Sequence, residues 1–209
     1  MQEIISGIQT QVSLKSYTSW QIGGVADYFA LPTNLDEMKL VCKWAIENKI
    51  PVTILGGGSN VLVSDKGIRG LTVCMKKYTG VQVTEDSEYV NIIALSGSGK
   101  NELLKVFLKN QLAPALFLAG LPGDIGGGVV MNAGVAESFV PREFGEIINW
   151  VEVLDHTNIN LNVKRLDHDE ITWTYRHTEG WKPGIVIRVG IRYPKNTDPT
   201  ILQKVKDAN

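Results

Sequence analysis

The clustering of glycine limits the possible folds of this sequence more than any other feature. The chain has 209 residues and 21 glycines; Gly56 to Gly58 are consecutive, and six more fall between Gly120 and Gly134. Clustered glycine costs backbone entropy, so it indicates places where the chain turns sharply or approaches a ligand closely. The two clusters are therefore the first candidates for a binding site.

Composition and charge exclude several classes of protein. Apolar residues make up 44% and charged residues 21% of the chain, which is typical of a soluble globular protein. The net charge of −1 provides no positive field for nucleic acid or an anionic membrane, so neither is an expected partner. No secretory signal is recognisable, and no apolar run approaches the roughly 20 residues of a membrane span. We expect a cytoplasmic protein.

The chain has two cysteines, Cys42 and Cys74. Their number and spacing fit neither a disulfide framework nor a metal site. Because free cysteine behaves mostly as a small buried hydrophobe, we expect reduced, packed thiols and no bound metal.

The first third of the chain predicts a βαβ-like unit. A strand over Ala26 to Leu31 precedes a helix over 35–48, and Val52 to Leu55 forms a second, buried strand. The first glycine cluster follows at the carboxyl end of this second strand, where open α/β sheets often bind ligands.

The remainder of the chain is predicted to be rich in β-structure. We expect strands at Leu71 to Met75, Val81 to Thr84, Tyr89 to Leu95 and Ile185 to Tyr193, a helix over Lys100 to Leu112, and a hairpin formed by Trp150 to Leu154 and Ile159 to Leu166. Asp198 and Pro199 predict the start of a further helix.

The loop after the second strand can be interpreted in two ways. Glycines there can direct backbone N–H groups at a phosphate, and Ser59 and Asn60 add side-chain donors. The loop lacks the Lys-Ser/Thr pair of a Walker A motif and does not match G-x-G-x-x-G. An anion-binding loop and a tight structural turn both remain open.

The segment from Ser96 to Asn101 resembles a P-loop but lacks two required residues. Ala94 stands in place of the leading glycine, and Asn101 in place of the Mg²⁺-binding Ser or Thr. A turn between a strand and a helix is the better interpretation.

The segment from Leu118 to Gly134 contains the larger of the two glycine clusters. Its glycines permit close backbone contact along a flat, extended ligand, and Pro122 stiffens one turn. The alternative is a tightly packed loop between domains.

Five motifs in order carry a family resemblance. They are Thr18 to Gly24, Ile54 to Leu62, Ala119 to Gly127, Met131 to Gly134, and Tyr175 to His177. Together they resemble the UDP-N-acetylenolpyruvoylglucosamine reductases, over residues 15–195.

The resemblance implies an α+β fold, the FAD-binding fold of the vanillyl-alcohol-oxidase type, with two α+β subdomains. We expect the first subdomain at residues 1–75 and the second at 76–197. Residues 198–209 then begin a helix that leads to a C-terminal substrate domain, which this sequence lacks.

The resemblance also implies that FAD is held without a covalent bond between the two glycine clusters. The first cluster cradles the pyrophosphate, and the second lines the pyrophosphate and the isoalloxazine ring. The implied cofactor-binding residues are Leu55, Gly56, Gly57, Gly58, Ser59, Asn60, Val61, Gly120, Pro122, Gly123, Gly126, Gly127, Asn132 and Gly134.

The implied reaction belongs to the synthesis of peptidoglycan precursors. NADPH reduces the flavin, which then delivers hydride to UDP-N-acetylglucosamine enolpyruvate and yields UDP-N-acetylmuramate. Arg176 matches the family's active-site arginine, and its permanent charge suits the enolate-like charge that develops. Tyr175 contacts substrate or packs, His177 is not expected to be catalytic, and His156 and His168 are expected to be solvated.

The sequence departs from the family in two places. Residues 135–146 lack the usual Ala-Tyr-Gly-Gly-Glu continuation, and no Ser-x-Phe-x-Asn-Pro segment supplies the proton-donating serine or the late glutamate. Loss of a positioned general acid typically costs about 10²- to 10⁴-fold in rate. We therefore expect negligible turnover from residues 1–209 alone.

Two other functions remain open. One is a different FAD-dependent oxidase on the same scaffold, and the other is a non-catalytic flavin- or nucleotide-binding module.

Overall fold

Three β-sheets organise the described part of the chain. The computed structural model describes residues 4–135 and 140–207. Its sheets have four, two and five strands, and the helices pack against the larger two.

The four-stranded sheet contains the predicted βαβ-like unit. Strands β2 and β3 run parallel to β4, which lies between them, and β1 pairs antiparallel at the edge. The bounds are β1 Ile8–Ser13, β2 Val25–Ala30, α1 Leu35–Glu47, β3 Val52–Leu55 and β4 Ile68–Cys74. The predicted strands and helix are confirmed, but β2 and β3 are not neighbours, because β4 lies between them and forms hydrogen bonds with both.

The sequence of α1 explains where it begins and which face it buries. Asn34 caps the helix by accepting a hydrogen bond from the Glu37 amide at 2.9 Å. Met38 and Cys42 face the core. Cys42 and Cys74 are both free and buried, as expected, and burial raises the pKa of Cys42 to about 12. The thiol therefore stays protonated and inert.

The five-stranded sheet is antiparallel throughout, in the order β5-β6-β11-β7-β8. The bounds are β5 Val81–Glu85, β6 Tyr89–Leu95, β7 Trp150–Leu154, β8 Val163–Asp167 and β11 Ile185–Pro194. The predicted hairpin is confirmed, but its second strand begins at Val163 rather than Ile159. Turn hydrogen bonds to the carboxylate of Asp155 and the side chain of Asn158 occupy the intervening residues.

Four short helices complete the helical part of the chain. Three lie between β6 and β7, namely α2 Lys100–Lys109, α3 Ala115–Ala119 and α4 Ile125–Val130, and α5 Ile201–Asp207 follows β11. The first is shorter than predicted, because Gln111 takes a left-handed φ of 53° and the Leu112 amide returns to the Phe107 carbonyl at 2.9 Å. The last begins two residues after Pro199. The expected turn between β6 and α2 lies at Ser96 to Gly99, and Lys100 and Asn101 begin α2.

A small hairpin that the sequence did not indicate completes the fold. Strands β9 Thr172–Thr174 and β10 His177–Glu179 pair antiparallel, and Tyr175 and Arg176 form the turn between them. Within the described residues, no helix is both long enough and apolar enough to cross a membrane.

His156 is half-buried rather than solvated, and its Nδ1 atom has no hydrogen-bond partner in the described structure. Burial lowers the pKa of this histidine, and the nearby Asp155 opposes the shift. Folding therefore favours the neutral ring. The contribution of His156 to the free energy of unfolding is fully present above the ordinary histidine pKa of about 6.5 and is lost as the pH drops below that value.

We expect the free energy of unfolding of the wild-type protein to fall between pH 7.5 and pH 5.5, and His156→Gln to reduce that fall. Urea unfolding at the two pH values measures the difference. Equal falls in the two proteins contradict the prediction.

Candidate functional site

A cleft of about 440 Å³ lies where the two glycine clusters meet. One wall comes from the loop 56–61 after β3, and the other from the segment 121–134 around α4. Arg176 reaches the same cleft from the β9–β10 turn. Volumes of this size are typical of small-molecule sites.

The first wall depends on Gly58. Its φ is +71°, and a Cβ there would lie 2.1 Å from the carbonyl oxygen of Tyr17. The carbonyl of Gly58 accepts a hydrogen bond from the Ser19 amide at 3.0 Å. Thr18 and Ser19, at the start of the motif Thr18 to Gly24, thus pack behind the loop at Gly58.

The glycines also let the two walls touch. A Cβ on Gly56 would lie 2.4 Å from a carboxylate oxygen of Asp124, and a Cβ on Gly123 would lie 2.7 Å from the Ser59 hydroxyl. Tight structural packing and ligand binding, the two interpretations left open for these segments, are therefore compatible with each other. The same glycines pack backbone against backbone and leave a cleft beside the contact.

Asp124 joins the two walls and was not singled out in the sequence. Its carboxylate accepts hydrogen bonds from the Gly57 amide and, at 2.6 Å, from the Gly127 amide. The residue is only 7% exposed and caps α4. Burial raises the pKa of this carboxyl, although the two amide hydrogen bonds oppose the shift. The sequence did contain a signal for this role, because an aspartate directly before a helix is a typical N-cap residue.

Arg176 lines the cleft and is held there by a hydrogen bond. Its Nη2 donates to the Gly134 carbonyl at 2.7 Å, and its backbone takes a left-handed φ of 56°. The guanidinium lies over the ring of Tyr175, 4.8 Å from the centroid. Tyr175 is 82% exposed and does not line the cleft, and neither does His177, which pairs with Glu179.

The implied cofactor residues divide between the cleft surface and the wall behind it. On the surface lie Gly56, Gly57, Gly58, Ser59, Asn60, Val61, Pro122, Gly123, Gly127 and Gly134. Leu55, Gly120, Gly126 and Asn132 lie outside the cleft lining.

Asn132 shows why a motif residue can lie behind the wall. It is fully buried, donates to the Thr174 carbonyl at 3.0 Å and accepts from the Gly145 amide at 2.8 Å. It therefore anchors the β9 hairpin, and with it Arg176, to the second glycine cluster.

The atypical segment 135–146 lies partly outside the described residues, because 136–139 are not described. Of the remainder, the Val135 amide donates to the Arg142 carbonyl at 2.9 Å, next to a bridge between Gly134 and Glu143. The segment thus returns to the edge of the cleft.

The cleft's chemistry fits a flat cofactor that carries phosphate. Val61, Leu121 and Met131 supply apolar surface, and Arg176 is the one cation among the described lining residues. The Asp124 carboxylate shows that amides from both walls converge on anionic oxygen. No group of three or more potential metal ligands occurs among the described residues.

Comparison with known proteins gives one matching family model, described as FAD binding domain, over residues 26–158. The UDP-N-acetylenolpyruvoylglucosamine reductase of Moorella thermoacetica is 34% identical over 208 residues, which cover 98% of this chain and 65% of that protein. Its counterpart from Caldanaerobacter subterraneus is 36% identical, covering 94% of this chain and 62% of that protein. The chain thus spans less than two thirds of the length of these relatives.

Solved structures agree on the fold. The UDP-N-acetylenolpyruvylglucosamine reductase of Thermus caldophilus superposes with a TM-score of 0.72 at 25% identity, covering 96% of this chain and 67% of that one. A cholesterol oxidase from Brevibacterium sterolicum gives a TM-score of 0.62 at 12% identity, covering 90% of this chain and 38% of that one. The second likeness is one of fold alone.

Proposed function

The chain belongs to the FAD binding domain family and has the predicted α+β fold of the vanillyl-alcohol-oxidase type, and on that premise we propose that its cleft holds FAD non-covalently. The observation that carries the proposal is the meeting of both glycine clusters and Arg176 in one cleft. The two larger sheets fit a proposed division into subdomains at residues 1–75 and 76–197.

We further propose that the protein is an NADPH-dependent reductase of UDP-N-acetylglucosamine enolpyruvate. The support is its similarity to UDP-N-acetylenolpyruvoylglucosamine reductases over nearly the whole chain. Because the reaction uses NADPH and a nucleotide sugar, we propose a cytoplasmic location.

The residues of the cleft have distinct roles in this proposal. Backbone amides of the loop 56–60 and the amide of Gly127 hold the diphosphate, and Val61, Leu121 and Met131 contact the flat ring system. When bound, FAD supplies the chemistry of accepting and donating hydride. Glycine at the wall keeps backbone dipoles close to the ligand, because no side chains intervene.

Arg176 acts on the substrate in the proposed reaction. Adding hydride beside a carboxylate builds enolate-like negative charge, and a guanidinium cannot lose its proton to neutralise itself. The hydrogen bond to the Gly134 carbonyl fixes the guanidinium before the charge develops, so little reorganisation is needed. Tyr175 supports Arg176 by lying under it and is also free to contact substrate.

An absorbance spectrum of the purified chain, with and without added FAD, tests cofactor binding. We expect flavin bands near one FAD per chain. Acid precipitation should release the flavin, because neither His nor Cys lines the described part of the cleft.

The other outcomes distinguish the alternatives. Flavin that remains on the denatured protein would favour a different FAD-dependent oxidase. A protein that stays colourless at saturating FAD would favour a non-catalytic module in which the glycines serve packing alone.

A further inference from the structure

Two amides of the cleft walls, one from each side, are already engaged by a carboxylate of the chain itself. Asp124 accepts hydrogen bonds from Gly57 on one wall and from Gly127, at 2.6 Å, on the other. A carboxylate and a phosphate offer amides the same anionic oxygen acceptors. The Asp124 side chain therefore occupies the position that suits a phosphate oxygen.

No cation of the described structure neutralises this carboxylate. None of the ion pairs among residues 4–135 and 140–207 involves Asp124. Arg176 donates to the Gly134 carbonyl, and the Lys100 amine donates to the Leu118 and Ala119 carbonyls. Asp124 thus faces the cleft as a largely buried, unneutralised acid.

We propose that Asp124 competes with the diphosphate of FAD for the Gly57 and Gly127 amides and so limits how tightly the cleft holds FAD. This inference rests on the proposed FAD binding. For the diphosphate to bind at these amides, the Asp124 side chain must swing away or accept a neighbouring negative charge. Either change weakens binding, since like charges at contact distance repel strongly where water is scarce.

A purely structural role for Asp124 predicts the opposite effect. If the residue only ties the two walls together, removing its charge loosens the cleft and weakens the binding of FAD. The direction of the change therefore distinguishes competition from tethering.

The test measures the dissociation constant of FAD for the wild-type chain, Asp124→Asn and Asp124→Ser by fluorescence quenching. Both replacements keep a side chain that can cap α4 while removing the charge. Glu88→Gln is the matched control, because it removes one negative charge from an exposed turn between β5 and β6. We expect both Asp124 variants to bind FAD at least tenfold more tightly, and the control to match the wild type.

Each other outcome overturns the inference. If both Asp124 variants bind FAD with unchanged or lower affinity, competition is wrong while FAD binding stands. If none of the four proteins binds FAD, the proposed function fails and this inference fails with it.

Discussion

Gly58→Ala is expected to abolish FAD binding and to lower the free energy of unfolding by about 3 kcal/mol. The left-handed conformation costs a non-glycine residue about 1–2 kcal/mol. The added Cβ would also lie 2.1 Å from the Tyr17 carbonyl oxygen, and relieving such crowding typically costs about 1–3 kcal/mol. Because a backbone atom causes the clash, the loop itself must move away from its position in the cleft wall.

Thermal unfolding and FAD titration measure the two effects of Gly58→Ala. For a chain of this size, about 3 kcal/mol corresponds to a Tm lower by roughly 6–12 °C. Gly80→Ala is the matched control, because its φ is not left-handed and the nearest atom to its Cβ is the flexible end of Leu95, 3.4 Å away. A Gly58→Ala protein that melts and binds FAD like the control contradicts the proposed role of the loop.

Even though the chain is expected to turn over slowly without its general acid, Arg176→Ala should slow the single-turnover transfer of hydride from reduced flavin to UDP-N-acetylglucosamine enolpyruvate by about a further 10²- to 10³-fold relative to the unsubstituted chain. Losing one preorganised donor to a developing negative charge typically costs this much. The rate of hydride transfer in Arg176→Lys should lie between those of the wild type and Arg176→Ala, because the lysine ammonium keeps the charge but not the planar geometry. Flavin reduction by NADPH should be nearly unchanged, since no enolate forms in that step.

Stopped-flow reoxidation of the reduced flavin by this substrate measures the effect of Arg176→Ala. Arg192→Ala is the control, because Arg192 lies over the Tyr89 ring on the five-stranded sheet and does not line the cleft. The FAD dissociation constant of Arg176→Ala must also match that of the wild type, which excludes a collapsed cleft. An unchanged reoxidation rate means that Arg176 only holds the Gly134 carbonyl.

Local patterns in the sequence determined most of the elements. The helical spacing of Met38 and Cys42 predicts α1 without any knowledge of its neighbours, and the structure adds Asn34 as its cap. Runs rich in β-branched residues likewise located β3 and β6. The glycine clusters indicated the position of the cleft, because glycine is needed where the local backbone takes a positive φ or leaves no room for a Cβ atom.

Tertiary structure alone decided which of these elements meet. The insertion of β4 between β2 and β3 depends on hydrogen bonds between segments far apart in sequence, which periodicity does not encode. The position of Arg176 depends on Asn132, whose amide reaches the Thr174 carbonyl from 42 residues away. The carboxylate of Asp124 reaches the Gly57 amide from 67 residues away. A residue's type and its near neighbours in sequence determine local conformation. A binding cleft is made of contacts between residues far apart in sequence, and these form only when the chain folds.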